Sequence, residues 1–123
     1  MESRSVLAVV NDLFFSVQIT EAAKRAGVAI QYATKEQDVL EKASANPSLI
    51  IFDLNFEAVD PLKLIGELKS SSDTKGISLI GYLSHVQGEL KLQAQEAGCD
   101  MVMARSAFSQ NMSQIFKRHA GVM

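Results

Sequence analysis

Runs of consecutive apolar residues alternate with stretches of helical periodicity along the whole chain. The clearest run spans 49–52, where four large apolar residues follow one another between Ser48 and Asp53. Such a run is typical of a strand that is covered on both faces in a parallel sheet. The pattern predicts five strands, over residues 6–10, 28–33, 49–52, 77–83 and 101–104.

The stretch after each predicted strand has apolar residues spaced near 3.6, which indicates a helix with one buried face. In the second of these helices, Thr34 and Gln37 stand three residues apart, as in a capping box. We expect Val39, Leu40 and Ala43 to face the core from that helix.

Turn and cap residues separate the predicted elements. Gly27 and Gly98 end the first and fourth helices, and Asp60-Pro61 begins the third with an N-cap followed by proline. Strict alternation of five strands with five helices favours right-handed crossovers between parallel strands. The sequence therefore predicts an α/β fold with a doubly wound, five-stranded parallel sheet, (βα)5, as a single domain over residues 1–123.

The amino-acid composition argues against some classes of function but does not identify the function of the protein. The 123 residues, 47% hydrophobic and 21% charged, are ordinary for one soluble globular domain. A net charge of −2 gives no general attraction to nucleic acid or to an anionic membrane, so neither is expected as a partner. A single cysteine, Cys99, favours a reducing compartment, and the first apolar run is too short for a signal peptide or a membrane span. We therefore expect a cytoplasmic protein.

Polar residues follow four of the predicted strands at the point where each strand ends. They are Asn11-Asp12, Asp53 with Asn55, Ser84-His85 and Arg105-Ser106. Because parallel strands present their carboxyl ends at one edge of the sheet, these residues should converge there. Two carboxylates with a backbone or amide oxygen are the hard ligands that Mg²⁺ prefers.

At these positions the chain resembles a response-regulator receiver domain with a flavodoxin-like fold. Receivers carry an acidic pair after the first strand, which corresponds to Asn11-Asp12, and a phosphoacceptor aspartate after the third, which corresponds to Asp53. The resemblance implies the strand order 2-1-3-4-5, with Mg²⁺ held by Asp12, Asp53 and the backbone carbonyl of Asn55.

The chain departs from the family pattern at several functional positions. One acid of the pair is an amide, Asn11, and the invariant Lys-Pro after the fifth strand is Arg105-Ser106. The family's switch Thr/Ser aligns with Leu83, although the adjacent Ser84 can replace it. The aromatic switch position is Val102, and the family's Met-Pro is Phe56-Glu57. Arg105 keeps the positive charge of the lysine but has a planar fork and a different reach.

The resemblance implies a stand-alone signalling module of a two-component system, a phosphorelay, rather than an enzyme. Asp53 would accept phosphate from a histidine kinase or a phosphotransfer protein, and the output would be a protein contact, of which a homodimer is one form. The contact surface implied is that of the fourth helix, fifth strand and fifth helix, with exposed positions at Lys91, Gln95, Gln114 and Lys117. The sequence does not name the downstream partner.

The sequence also fits two other functional classes. The first is a degenerate receiver that binds a partner without phosphorylation. The second is a small α/β enzyme or cofactor binder, against which stands the absence of the glycine patterns G-x-x-x-x-G-K-[ST] and G-x-G-x-x-G.

Arg105 leaves one electrostatic question open. Either Asp12 and Asp53 repel one another in an open acidic site, which would raise one carboxyl pKa, or Arg105 pairs permanently with Asp53. We expect the open state, because a phosphoacceptor must remain accessible. For His85 we favour a partly exposed loop residue over a titrating group beside the acids.

Overall fold

Five parallel strands form the centre of the molecule, and the segments that connect them are helical. The computed structural model describes residues 5–84 and 88–119. Its strands are β1 (Ser5–Val9), β2 (Ala29–Tyr32), β3 (Leu49–Asp53), β4 (Ser78–Leu83) and β5 (Met101–Ala104). Its α-helices are α1 (Leu13–Arg25), α2 (Glu36–Ala43), α3 (Pro61–Ser70), α4 (Gly88–Ala97) and α5 (Arg105–His119), with a short 3₁₀ turn at Glu57–Val59.

The strand order is β2-β1-β3-β4-β5, and all neighbouring strands are parallel. The apolar run of β3 lies at the centre of the sheet, where Leu49, Ile50, Ile51 and Phe52 have no solvent exposure. A strand with both faces covered needs apolar side chains on both, which explains the uninterrupted run. The predicted fold class and strand order are therefore confirmed.

Two hydrophobic cores lie on opposite faces of the sheet. Ile50 and Phe52 of β3 point into the core beneath α2, α3 and α4, whereas Leu49 and Ile51 point into the core beneath α1 and α5. Alternate side chains of a strand point to opposite faces, so the single run supplies both cores. Because the helices cover the two faces, the carboxyl edge of the sheet is formed by the loops that follow the strands.

Two details of the predicted helices are wrong. The N-cap of α2 is Lys35, without a side-chain hydrogen bond, so Thr34 and Gln37 form no capping box. Leu40 is 39% exposed, whereas Val39 and Ala43 are buried as expected. Val39 and Ala43 are about one turn apart and face the core, whereas Leu40 is turned by about 100° from Val39 and lies at the edge of the buried face.

The cap and turn residues of the other helices behave as predicted. Asp60 accepts a hydrogen bond from the Lys63 N–H, and Pro61 is the first residue of α3. Gly27 and Gly98 both have positive φ after their helices, where L-residues with a side chain are strained. Over the described ranges, no helix has the length and apolarity required to span a membrane.

Candidate functional site

A shallow cleft lies at the carboxyl edge of the sheet, between the ends of β1 and β3. Its volume is about 480 Å³. The lining residues are Asn11, Asp12, Asp53, Asn55, Phe56, Glu57 and Ala58. The structure thus brings together the polar residues that the sequence places after the first and third strands.

Asp12 is the N-cap of α1 and has both carboxylate oxygens engaged. Its Oδ1 accepts the backbone N–H of Phe15 at 3.0 Å, and its Oδ2 accepts from the guanidinium of Arg105. The Phe15 N–H is the main cause of a lowered pKa for Asp12, to which Arg105 also contributes. The carboxylate therefore has its negative charge stabilised by the helix start and by the arginine.

Asp53 is the last residue of β3 and is partly buried in the same cleft. Burial raises the pKa of Asp53, an effect that the Asn55 N–H and the charge of Arg105 partly offset. The Asn55 N–H donates to Asp53 Oδ1 at 2.9 Å. The negative charge of Asp12 raises this pKa only slightly, so one carboxyl pKa is raised as expected, but mainly by desolvation rather than by repulsion.

Arg105 pairs with Asp12 rather than with Asp53. This differs from both states expected from the sequence, in which Arg105 either stood apart or paired with Asp53. The guanidinium carbon also lies 4.4 Å from the centroid of the Phe15 ring, a cation–π contact. Arg105 is the first residue of α5 and follows β5 directly, so its side chain starts at the sheet edge and reaches Asp12 at the start of α1.

Asn55 and Ser84 link the ends of β3 and β4. The Ser84 backbone N–H and hydroxyl donate to Asn55 Oδ1 at 2.9 and 3.1 Å. Leu83 and Val102, which align with the family's switch residues, are buried and apolar on the α3–α4 side of the sheet. Ser84 is thus the hydroxyl near the cleft at this strand end, and Asn55 engages it.

The other two polar residues at the strand ends are Ser106 and His85. Ser106 is exposed and lines a neighbouring depression of about 350 Å³ together with Arg105 and Ser84. His85 lies outside the described residues.

An aromatic cluster beneath Arg105 is the part of the site that the sequence did not reveal. The ring of Tyr82 lies 5.0 Å from that of Phe15 and stacks on that of Phe108 at 5.4 Å. The Tyr82 hydroxyl is buried and has no hydrogen-bond partner among the described residues. Burial, and next the charge of Asp53, raise the pKa of Tyr82. The aromatic residues are visible in the sequence, but nothing local predicts that they meet.

The donor set of the cleft fits a hard divalent cation. Asp12, Asp53 and Asn55 offer two carboxylates and a carbonyl, all oxygen ligands. Over residues 5–84 and 88–119, no group of three His, Cys, Asp or Glu side chains has a metal-binding arrangement. A cation here would keep several water ligands, as Mg²⁺ commonly does. At Asp12 it would lie close to the guanidinium of Arg105, which already pairs with that carboxylate.

Comparison with solved structures identifies the fold. A putative response regulator from Chloroflexus aurantiacus superposes with a TM-score of 0.84 at 18% identity, covering 98% of this chain and 100% of that one. The phosphorylated cyanobacterial phytochrome response regulator RcpA superposes with a TM-score of 0.79 at 18% identity, covering 95% and 91%. A response regulator in its Mn²⁺-bound form superposes with a TM-score of 0.79 at 15% identity, covering 98% and 97%.

No family model and no curated protein sequence matches the chain. The fold is that of the response-regulator receiver domain, and the identities of 15% to 18% establish the fold alone.

Proposed function

We propose that this protein is a receiver module of a two-component system and that Asp53 is its phosphoacceptor. The observation that carries the proposal is the position of Asp53, at the end of the central strand and in one cleft with Asp12 and Asn55. The similarity of the fold to that of response regulators also supports this proposal. The module acts as a signalling component rather than as an enzyme.

Asp53 is the nucleophile in this proposal. One oxygen of its ionised carboxylate forms a bond to the phosphorus of the donor, while the donor's own bond to that phosphorus breaks and its leaving group takes the electron pair. The Asn55 N–H, already donating to Asp53 Oδ1, orients the carboxylate. Arg105 is the nearby cation that would compensate the added negative charge once it leaves Asp12.

Asp12, Asp53 and the backbone carbonyl of Asn55 would hold the Mg²⁺ ion. When bound, the ion supplies positive charge against the phosphoryl oxygens during transfer. The structural relative in its Mn²⁺-bound form supports the general idea of divalent cation binding on this fold. In this chain, Arg105 already occupies Asp12 Oδ2, so its positive charge would oppose a cation at this carboxylate.

The proposal also defines the kind of partner. A histidine kinase or a phosphotransfer protein would supply the phosphoryl group, and the output would pass through contact with a further protein or a second copy of the chain. Protein surfaces formed by α4, β5 and α5 are the candidate output face.

Phosphorylation of Asp53 can be tested by intact mass measurement after incubation with Mg²⁺ and acetyl phosphate. We expect the wild type to gain the mass of one phosphoryl group and Asp53→Ala to gain none. Asp73→Ala, at an exposed loop position outside the cleft, is the matched control and should behave like the wild type. A gain that persists in Asp53→Ala would place the acceptor elsewhere, and no gain with acetyl phosphate or phosphoramidate would overturn the proposal.

A second candidate is a degenerate receiver that binds its partner without phosphorylation. Specific contacts favour it: Arg105 engages Asp12, and Asn55 engages Ser84, so two groups that would respond to a phosphoryl group already have partners. Under this alternative, the mass experiment gives no phosphorylated species while partner capture is unchanged in Asp53→Ala.

A further inference from the structure

We propose that Phe15 is a positioning residue that holds Arg105 on Asp12, so that Arg105 and a divalent cation compete for the same carboxylate. The inference deepens the proposed function, on which it rests, by assigning control of cation entry to a residue outside the acidic cleft.

Phe15 contacts both members of the ion pair. Its backbone N–H donates to Asp12 Oδ1, and the face of its ring lies against the guanidinium of Arg105, whose carbon is 4.4 Å from the ring centroid. A single residue therefore fixes the position of the acid and of the base. Arg105 and Asp12 are 93 residues apart in the chain, and α1 and α5 bring them together.

The ring of Phe15 is held in place by its neighbours. Its side chain is buried, packs edge-on against Tyr82 and lies 5.9 Å from the ring of Phe108. A ring fixed in this way offers its face to Arg105 without further ordering. The long arginine side chain, which would otherwise sample many rotamers, is restrained to the position that serves Asp12.

A divalent cation at Asp12 would lie next to the positive charge of the guanidinium on Oδ2, and the two positive charges repel one another, so binding of the cation favours departure of Arg105 from Oδ2 and from the ring. The apparent affinity for the cation is then reduced by the fraction of molecules in which Arg105 occupies Asp12. Removing the ring face weakens the arginine-bound state but leaves the carboxylates and the backbone N–H in place. The affinity for Mg²⁺ should rise as a result.

The test is a calorimetric titration of the full chain with MgCl₂, without a phosphodonor. Phe15→Leu, which keeps an apolar side chain and the N–H but has no aromatic face, should bind Mg²⁺ about 3 to 10 times more tightly than the wild type. Phe15→Tyr, which keeps an aromatic ring face for Arg105, should bind Mg²⁺ with the affinity of the wild type. Arg105→Gln should bind at least as tightly as Phe15→Leu, because the competing cation is gone.

Tyrosine fluorescence gives a second readout of arginine movement. The chain has no tryptophan and two tyrosines, so Tyr32→Phe leaves Tyr82 as the only emitter. Tyr82 packs on Phe15, and we expect Mg²⁺ to change its emission as Arg105 leaves the ring. The change should be much smaller in Arg105→Gln, which has no guanidinium to move.

The outcomes separate this inference from the proposed function. Equal Mg²⁺ affinity in the wild type, Phe15→Leu and Arg105→Gln would overturn the inference, whatever the thermal stability of the variants. Tighter binding in both variants, with no phosphorylation by acetyl phosphate, would support it and overturn the proposed function. If Phe15→Leu does not fold, Phe15→Met, whose flexible side chain fills irregular space, takes its place.

Discussion

At the scale of single residues, the two carboxylates of the cleft have pKa values shifted in opposite directions. The Phe15 N–H and Arg105 lower the pKa of Asp12, whereas burial raises the pKa of Asp53. The ionised form of Asp12 therefore stabilises the fold, and the ionised form of Asp53 opposes it. Asp53, the proposed phosphoacceptor, is thus the carboxylate whose negative charge the protein stabilises less.

Asp53→Asn should raise the free energy of unfolding in EDTA at pH 7, by the order of 1 kcal/mol. The amide removes the partly buried charge, and its own Oδ1 can still accept the Asn55 N–H. Urea melts of the two proteins measure the difference. Asp73→Asn, at an exposed position, is the control and should leave the stability nearly unchanged.

The same variant has a defined pH dependence. Because the pKa of Asp53 is raised in the folded state, its neutral form stabilises the wild type below the unfolded-state pKa, and this contribution is lost as pH rises through the folded-state pKa. The advantage of Asp53→Asn should therefore shrink as the pH is lowered towards 3.8, the ordinary value for this carboxyl. If the mutant is less stable than the wild type at pH 7 in EDTA, the charge of Arg105 stabilises ionised Asp53 more strongly than the contacts of Asp53 indicate.

At the scale of elements, β4 and the loop after β3 are packed too closely for a side chain at Gly81. A Cβ at this position would lie 2.8 Å from Leu54 Cδ1 and 2.9 Å from Leu54 Cγ. Leu54 is buried and stands between Asp53 and Asn55, so any shift of its side chain acts on the residues of the cleft. The glycine leaves room for the Leu54 side chain to approach β4 this closely.

Gly81→Ala should therefore destabilise the protein by about 1 to 3 kcal/mol, the usual cost of overpacking a core. It should also weaken Mg²⁺ binding, because the displaced Leu54 moves its neighbours in sequence. Urea melts and the calorimetric titration measure the two effects.

Gly66→Ala is the matched control, since Gly66 lies inside α3 and a Cβ there meets nothing within 4 Å. It should stabilise the protein by about 0.5 to 1 kcal/mol through helix propensity and leave Mg²⁺ binding unchanged. If Gly81→Ala were equally benign, Leu54 would have room to move, and the close packing would not restrain the cleft.

At the scale of the whole molecule, the surface of α4, β5 and α5 is the predicted contact face. Lys91, Gln95, Gln114 and Lys117 are all exposed there. We predict that the double variant Lys91→Glu and Lys117→Glu weakens self-association or partner capture at least several-fold while changing stability by less than about 0.5 kcal/mol. Sedimentation measures self-association, and pull-down with a kinase or output protein measures capture.

Lys75→Glu is the control for that experiment, because Lys75 is exposed in the loop before β4, outside the predicted face. It makes the same kind of charge reversal and should leave association unchanged. If the double variant associates like the wild type, the contact face lies on another part of the surface.

The sequence was sufficient for the elements of the fold and for the approximate place of the site. The apolar run before Asp53 predicts a central strand because a doubly covered strand admits few polar residues. Asp60-Pro61 predicts the start of α3 because proline has no N–H to lose at that position. The capping box at Thr34 failed because a favourable local pattern does not oblige the chain to begin its helix there.

What the sequence by itself determined is local: periodicity, caps and the order of polar residues at strand ends. What only the tertiary structure decided is which distant groups meet. Arg105 joins Asp12 across 93 residues, and Ser84 joins Asn55 across 29. The physical reason is that an ion pair depends on where α1 and α5 pack against the sheet, which no spacing along the chain encodes. The ring of Phe15, which is one apolar position in the helical pattern, became a support for Arg105 only through that packing.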